Sequence, residues 1–353
     1  MFSGDIGNTD KPLLRDPQYI LHADYVVMES TYGDRTHGDK PDYVTALTQV
    51  LQTTFDRGGS VVIPSFAVGR TQELLYFLRK IQQERRVQGH GVFPVYLDSP
   101  LAIEATNVYQ ENMLGCFDEE AMALARQGIN PLAFEGLIPT VSTEESKQIN
   151  LDPRPKVILS ASGMCEAGRI RHHLKHNLWK PENTILFVGY QAKNTLGRAI
   201  FDGAKHVRLF GEDVEVRAQI KSIAGISGHA DVKGLIRWLG YFSPKPRQVL
   251  VLHGESEVCE AFAQRLRTEL GYRAEAPYSG SEYDLLTGEC ILARQPTLVP
   301  VRRSQKKRSP AYLRLQAVMQ RLNALVENGE GRPNKDLARL ANQLTQLCDK
   351  WER

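Results

Sequence analysis

Four short segments hold the acidic and histidine side chains with which this sequence could bind a metal ion. In chain order they read FSGDIGN, ESTYG, SGHAD and LHGE, and they centre on Asp5, Glu29, His229 and His253. Each segment lies at or just after an apolar run of β type, where a strand would direct its last side chain into a pocket. Carboxylate and imidazole groups are the ligands of hydrolytic Zn²⁺ and Mn²⁺ sites. The four segments together therefore predict a metal-dependent hydrolytic site.

Each segment also has an ordinary structural interpretation. A Gly-Asp turn such as the one at Asp5 is commonly a plain loop, and the carboxylate of Glu29 could simply accept backbone N–H groups. A histidine that ends a buried strand, such as His253, could be hydrogen-bonded in the core. Asp231, in the SGHAD segment, could cap the helix that follows. The metal-site interpretation therefore depends on the four segments occurring together and in this order.

The elements that would position these residues alternate short β-branched runs with helical stretches. This pattern is typical of an α/β protein with a largely parallel sheet. The predicted strands are residues 25–28, 60–63, 92–97, 156–160, 184–188 and 248–252. From about Ala199 the pattern changes to short strands with little helix between them, at 206–210, 214–217 and 220–224, which favours an antiparallel edge or a second sheet. Two leucine-periodic stretches on either side of a glycine-rich turn at 328–333 predict a C-terminal helical hairpin.

Composition limits the class of protein. The chain has 353 residues, enough for two domains, and its net charge of +3 is too small to prove a polyanionic partner. Its five cysteines are scattered without a CxxC pair, which favours a reducing cytoplasm over a disulfide framework. No apolar run approaches the length of a membrane span, and no signal peptide is recognisable. We therefore expect a cytoplasmic protein without a membrane partner.

In order and context, the four segments resemble the metallo-β-lactamase superfamily, specifically its β-CASP branch of nucleases. That branch includes the bacterial ribonuclease J type and the endonuclease of pre-mRNA 3′-end processing. The resemblance runs from Met1 to about Ala293, through the motifs SFAVGRTQELL (65–75), LDSPLA (97–102), SASGMCEAGR (160–169) and GYQAKNTLGR (189–198). It implies a partial metallo-β-lactamase αββα sandwich with an inserted β-CASP α/β domain of mainly parallel sheet, followed by the helical hairpin.

The resemblance also predicts the domain boundaries. Residues 1–33 would be a remnant of the metallo-β-lactamase domain, residues 34–205 the β-CASP domain, and residues 206–297 the C-terminal part of the metallo-β-lactamase domain. A basic linker at 298–309 and the helical hairpin at 310–353 would complete the chain. The leucine stripe of the hairpin is compatible with packing on the body or with a homodimer.

The matched positions carry roles over from the family. Asp5 would bridge two divalent ions, Zn²⁺ or Mn²⁺, and His253 would complete the second, which makes Asp5 and His253 the predicted metal ligands. Catalytic roles are implied for Asp5, Glu29 and His229. His229 would be the general acid or charge stabiliser at the leaving 3′ oxygen, and Glu29 would orient its imidazole.

Two interior loops, 65–70 and 160–169, are rich in small residues and lie between a predicted strand and a helix, where free N–H groups attract anions. The predicted residues for binding RNA phosphates are Ser65, Arg70, Ser160, Ser162, Arg169 and Arg198. The alternative is structural, with glycines for tight turns and arginines for surface solvation. His172 and His176 share a helix face, but we expect a partly basic face there rather than a metal site.

His253 also favours RNA as the substrate, because DNA-repair members of the branch have valine at this position. One feature of the family is missing: none of the nine histidines lies in a His-x-His-x-Asp-His loop, which supplies most of the metal ligands. We therefore expect a metal-dependent RNA phosphodiester hydrolase whose chain is N-terminally truncated and inactive alone. The alternative is a non-catalytic RNA-binding or scaffold protein.

Overall fold

The computed structural model describes residues 1–38, 41–223, 227–296, 310–329 and 333–351. Two compact units are distinguished, a body of residues 1–294 and a second unit of residues 295–353. Within the described residues, the body contains all of the strands and the second unit contains two helices.

The strands are β1 Tyr25–Glu29, β2 Val61–Pro64, β3 Val95–Leu97, β4 Leu137–Pro139, β5 Val157–Ser160, β6 Thr184–Phe187, β7 His206–Leu209, β8 Glu212–Glu215, β9 Gln219–Ser222, β10 Gln248–Leu252, β11 Ala274–Glu275, β12 Glu282–Asp284 and β13 Glu289–Leu292. The helices are α1 Tyr43–Phe55, α2 Arg70–Gln83, α3 Pro100–Glu111, α4 Met113–Cys116, α5 Glu119–Arg126, α6 Thr143–Ile149, α7 Ile170–Asn177, α8 Leu196–Phe201, α9 Val232–Leu239, α10 Ser256–Thr268, α11 Pro310–Glu327 and α12 Asn334–Trp351.

The larger sheet has six strands in the order β4-β3-β5-β2-β6-β9, and every neighbouring pair is parallel. Its four inner strands are buried on both faces, as expected for a parallel sheet covered by helices. Val61 and Ile63 pack in the core that includes α1 and α2, whereas Val62 packs in the core that includes α7 and α8. The prediction of an α/β protein with mainly parallel sheet is confirmed.

The smaller sheet has three parallel strands in the order β1-β10-β11. Val26 and Val249 pack on one face of it, against Leu235 of α9 and Phe262 of α10. The first residues of the chain extend this sheet, because Phe2 pairs in parallel with Val27 of β1. The sheet places the ends of β1 and β10, where two of the four predicted segments begin, directly beside each other.

The strands after Ala199 follow the prediction in part. β7 and β8 form an antiparallel two-stranded sheet, and β12 pairs with β13 in the same way. β9 differs, because it runs parallel to β6 at the edge of the six-stranded sheet rather than in an antiparallel edge or a second sheet. Ile220 of β9 packs against the core beside α7 and α8. A four-residue pattern does not encode strand direction, which is fixed here by this long-range packing.

The second unit contains the predicted C-terminal pair of helices, α11 and α12, and α11 begins at Pro310. The predicted basic linker at 298–309 lies outside the described residues. Among the described helices, none combines the length and apolar content needed to cross a bilayer. The domain boundaries given by the sequence remain predictions.

Candidate metal centre and adjoining loops

The smaller sheet brings together the segments of Glu29 and His253. β1 and β10 pair in parallel, and Glu29 lies opposite Leu252, the residue before His253. His253 adopts a φ of +52°, in the left-handed region that residues other than glycine rarely occupy. The turn lies against the end of β1, because Ser30 N donates to the His253 carbonyl at 3.3 Å and Thr31 Oγ1 lies 3.2 Å from the same oxygen.

The segments of Asp5 and His229 join the same place through backbone contacts. Gly7 pairs with His229 in an antiparallel bridge, and Ala230 N donates to the Ile6 carbonyl at 2.8 Å. Ile6 N in turn donates to Oε1 of Glu29. All four predicted segments therefore converge on one region of the structure, although they are far apart in the sequence.

Asp5, His229 and His253 form a group that could hold a metal ion. Each offers one ligand atom, and the three atoms lie within 4.8 Å of one another. The side chains of Asp5 and His253 are 66% and 62% exposed, whereas that of His229 is 26% exposed. One carboxylate and two imidazoles suit Zn²⁺ or Mn²⁺. The donor set fits a hydrolytic metal ion that remains open to substrate.

Glu29 is buried behind this group and orients His229. Its side chain is 1% exposed, and His229 Nδ1 lies 2.8 Å from its Oε2. This hydrogen bond raises the pKa of His229. Partial burial lowers the pKa, whereas the negative charges of Glu29 and Asp5 raise it further. A carboxylate bound to Nδ1 keeps a proton on that nitrogen and leaves Nε2 to face outward.

Thr31 is a further residue of the site that was not predicted from the sequence. Its Oγ1 lies 2.7 Å from Glu29 Oε2, 3.2 Å from His253 Nδ1 and 3.4 Å from His229 Nδ1. One hydroxyl thus joins the buried carboxylate to both histidines. Its position two residues after Glu29 was the only signal in the sequence, and that signal does not reveal the contact with His253.

His37 and Asp231 hold the His229 loop from the other side. His37 Nε2 lies 3.1 Å from the His229 carbonyl, and His37 N donates to Asp231 at 3.1 Å. Asp231 also accepts from Gly234 N at 2.9 Å and so caps α9. Asp231 therefore caps the following helix, which is the structural role that the sequence allowed for it. The contact of His37 with this loop was not predicted from the sequence.

The predicted serines of the phosphate loops differ in their surroundings. Ser65 and Ser160 are buried, with Ser65 Oγ 2.8 Å from Thr71 Oγ1 and Ser160 Oγ donating to the Asp98 carbonyl at 2.8 Å. These hydroxyls stabilise the loops. Ser162 is only partly buried.

The predicted arginines all contact acidic side chains. Arg70 pairs with Glu73, Arg169 Nη1 lies 2.7 Å from Asp98, and Arg198 Nε lies 2.7 Å from Asp202. Their side chains are 9%, 21% and 37% exposed, so Arg198 is the most accessible of the three. Phosphate binding by these arginines and by the three serines stays a prediction.

The interior loops nevertheless lie together at the carboxyl ends of parallel strands. Ser65 N donates to the Ser160 carbonyl at 3.1 Å, and Gly197 N donates to the Met164 carbonyl at 3.0 Å. In open α/β sheets this edge is where ligands bind.

The histidines of α7 make other contacts. His172 stacks on Phe210 with ring centroids 4.3 Å apart, and Nε2 of the buried His173 is hydrogen-bonded to Asp98 Oδ2 at 2.6 Å. In the described part of the chain, the only group of three or more metal-ligating side chains is Asp5, His229 and His253.

An α/β body with mainly parallel sheets, on which one carboxylate and two imidazoles converge, has the fold class and the donors of a metal-dependent hydrolase. Residues 71–200 match the family described as Beta-Casp domain, and residues 213–277 match the one described as Zn-dependent metallo-hydrolase RNA specificity domain. The chain belongs to the β-CASP branch of the metallo-β-lactamase superfamily, as its motifs indicate.

Curated relatives support this membership. The chain is 42% identical over 268 residues to Ribonuclease TTHA0252 of Thermus thermophilus, an alignment that covers 75% of this chain and 59% of the relative. It is 35% identical over 249 residues to Transcription termination factor FttA of Methanocaldococcus jannaschii, covering 69% and 38%. An RNase J-like protein of the same archaeon is 30% identical over 285 residues, covering 80% and 64%. The chain thus spans less than two thirds of each of these relatives.

Proposed function

We propose that this chain belongs to a metal-dependent RNA phosphodiester hydrolase. The convergence of Asp5, His229 and His253 within 4.8 Å, with Glu29 buried behind them, is the observation that carries the proposal. The match to an RNA specificity domain and the relative named as a ribonuclease support RNA as the substrate. The histidine at position 253 supports the same choice.

The residues of the site would have three different roles in hydrolysis: metal binding, proton donation and positioning. Asp5 and His253 would hold two Zn²⁺ or Mn²⁺ ions, which when bound supply an activated water and neutralise charge at the phosphorus. His229, whose Nδ1 is hydrogen-bonded to Glu29, would act on the leaving 3′ oxygen as general acid or charge stabiliser. Glu29 acts through His229 as a positioning residue.

We also propose that the 353-residue chain by itself cleaves RNA slowly or not at all. Among its described residues only Asp5 and His253 are assigned to the ions, whereas two tightly held ions need about three or four protein ligands each. The same observation favours a second candidate, an RNA-binding chain without catalysis of its own. The cytoplasmic location and the homodimer stay predictions.

The proposal is tested with a labelled single-stranded RNA and the full chain, with and without added Zn²⁺ or Mn²⁺. We expect RNA binding, and any cleavage should require the ion and disappear in His253→Ala. His206→Ala is the matched control, because His206 is an exposed histidine that pairs with Asp213 in the β7–β8 sheet.

The outcomes separate the candidates. Cleavage that is independent of metal and equal in His253→Ala and His206→Ala would contradict the hydrolase. Metal-dependent turnover of about 1 s⁻¹ or faster, typical of enzymes, would contradict only the low activity of the chain alone. RNA binding with no cleavage at any metal concentration agrees with the low activity of the chain alone and equally with the non-catalytic candidate, and loss of Zn²⁺ binding in His253→Ala would then favour the hydrolase.

A further inference from the structure

Two exposed aromatic side chains lie beside the predicted phosphate loops. Phe66 is 47% exposed and Tyr190 is 56% exposed. Phe66 follows β2 and Tyr190 follows β6, and these two strands are parallel neighbours in the six-stranded sheet. Their carboxyl ends therefore lie side by side, with strands about 5 Å apart. We call Phe66 and Tyr190 the aromatic pair.

The loops that carry the two aromatic residues both contact the 160–169 loop at Gly163. A Cβ atom added to Gly163 would lie 3.2 Å from the ring of Phe66, so the ring packs directly on this glycine. From the other side, Gln191 Nε2, next to Tyr190, donates to the Gly163 carbonyl at 2.9 Å. A single backbone segment thus separates the two loops that carry the aromatic residues.

The loops of the aromatic pair carry basic side chains, and the nearby acidic side chains accept hydrogen bonds from the protein itself. Lys193 is exposed in the Tyr190 loop, and Arg198 is the third residue of α8, the helix that follows this loop. Of the nearby acids, Glu166 accepts Leu196 N at 2.6 Å, and Asp202 accepts Arg198 Nε. Exposed rings beside basic groups are the combination that binds single-stranded nucleic acid without sequence preference.

We propose that Phe66 and Tyr190 form a stacking platform for unpaired bases of single-stranded RNA, while the 160–169 loop receives the backbone phosphates. This inference rests on the proposed function, since it assumes an RNA substrate. The aromatic pair gives the chain a preference for unpaired over duplex RNA, because paired bases do not expose their faces to side chains.

The test compares two oligonucleotides of equal length, an adenosine RNA and an RNA of abasic nucleotides, by fluorescence anisotropy with the full chain. Phe66→Ala and Tyr190→Ala should each weaken binding of the adenosine RNA by about tenfold, the usual effect of removing one stacking ring. Binding of the abasic RNA should not change. Phe66→Tyr and Tyr190→Phe keep a ring and should bind as the wild type does, which excludes a folding defect as the cause.

Trp179→Ala is the matched control, because Trp179 is 51% exposed but precedes β6 whereas Tyr190 follows it. It should leave both affinities unchanged. Equal losses for the adenosine and abasic RNAs, or no loss for either, would overturn the stacking platform while leaving the proposed function intact. Failure of the wild-type chain to bind either RNA would contradict the proposed function and the platform together.

Discussion

The Thr31 hydroxyl connects Glu29 to both histidines of the candidate metal centre. It is 2.7 Å from Glu29 Oε2, where it donates, and 3.2 Å from His253 Nδ1, from which it can accept. Glu29 thereby orients His229 directly and His253 through Thr31. A single buried carboxylate sets the direction of two imidazole rings whose segments lie far apart in the sequence.

Thr31→Val keeps the shape of the side chain and removes this hydroxyl. We expect its Zn²⁺ affinity to fall by about tenfold or more, because partners that orient metal-ligating histidines typically contribute that much. The affinity is measured by competition with a chelator of known strength, and Thr31→Ser should restore it.

Thr36→Val, an exposed substitution of the same type in the same loop, is the control and should bind Zn²⁺ as the wild type does. Unchanged affinity in Thr31→Val would show that the hydroxyl does not orient His253.

Asp98, which follows β3, links this strand to the end of β4 and to the helices α6 and α7. It is fully buried and accepts hydrogen bonds from Thr140, Ser146, Arg169 and His173, at 2.6 to 2.7 Å. These partners lie after β4, in α6, and at the beginning and middle of α7. The position of the 160–169 loop therefore depends on a carboxylate in the LDSPLA motif, some sixty residues earlier.

Asp98→Asn should destabilise the body by about 3 kcal/mol, because it leaves Arg169 and His173 without their buried anionic partner. Urea unfolding followed by circular dichroism measures the change. Asp213→Asn also removes a carboxylate that pairs with a histidine, but on the surface, and it should change stability little. Similar losses in both variants would contradict the role of Asp98.

The same carboxylate predicts a dependence of stability on pH. Burial raises the pKa of Asp98, but the hydrogen bonds from His173, Ser146 and Thr140 outweigh burial and hold the pKa well below its ordinary value. In the unfolded chain the pKa of this carboxyl group is about 3.9. The ionised Asp98 therefore contributes its full stabilisation of the fold above that pH, and this contribution is lost as the pH falls. We expect the unfolding free energy of the wild type to decline more steeply below about pH 4 than that of Asp98→Asn, and equal slopes would refute this.

The body contains two parallel sheets besides its two antiparallel strand pairs, and the candidate metal centre depends on the smaller parallel sheet. Asp5 and His253 are largely exposed and supply little stability without a bound ion. A ligand that binds only the folded state stabilises it by about 2.7 kcal/mol at a concentration one hundred times its dissociation constant. Zn²⁺ should therefore raise the thermal unfolding midpoint of the chain.

Differential scanning calorimetry with increasing Zn²⁺ measures this shift. The shift should disappear in His253→Ala and persist in His206→Ala, because only His253 belongs to the group of donors. An equal shift in both variants would place the bound ion elsewhere on the molecule.

Much of the fold was predictable because it follows from local patterns. Apolar runs bounded by turn residues located β2, β5, β6 and β10 to within one or two residues, and leucine periodicity located the C-terminal helices. The direction of β9 was not predictable, since it depends on the contact of Ile220 with a distant core. The burial of Ser65 and Ser160 was missed for the same reason.

By itself, the sequence determined which side chains could do chemistry, the mainly parallel α/β class and the family to which the chain belongs, because residue types, periodicity and motifs are local properties. Only the tertiary structure decided which of those side chains meet. It brought Asp5, His229 and His253 together, placed Thr31 between the histidines and set Arg169 against the buried carboxylate of Asp98. These contacts join residues that are distant in the chain, and strand register and core packing fix them.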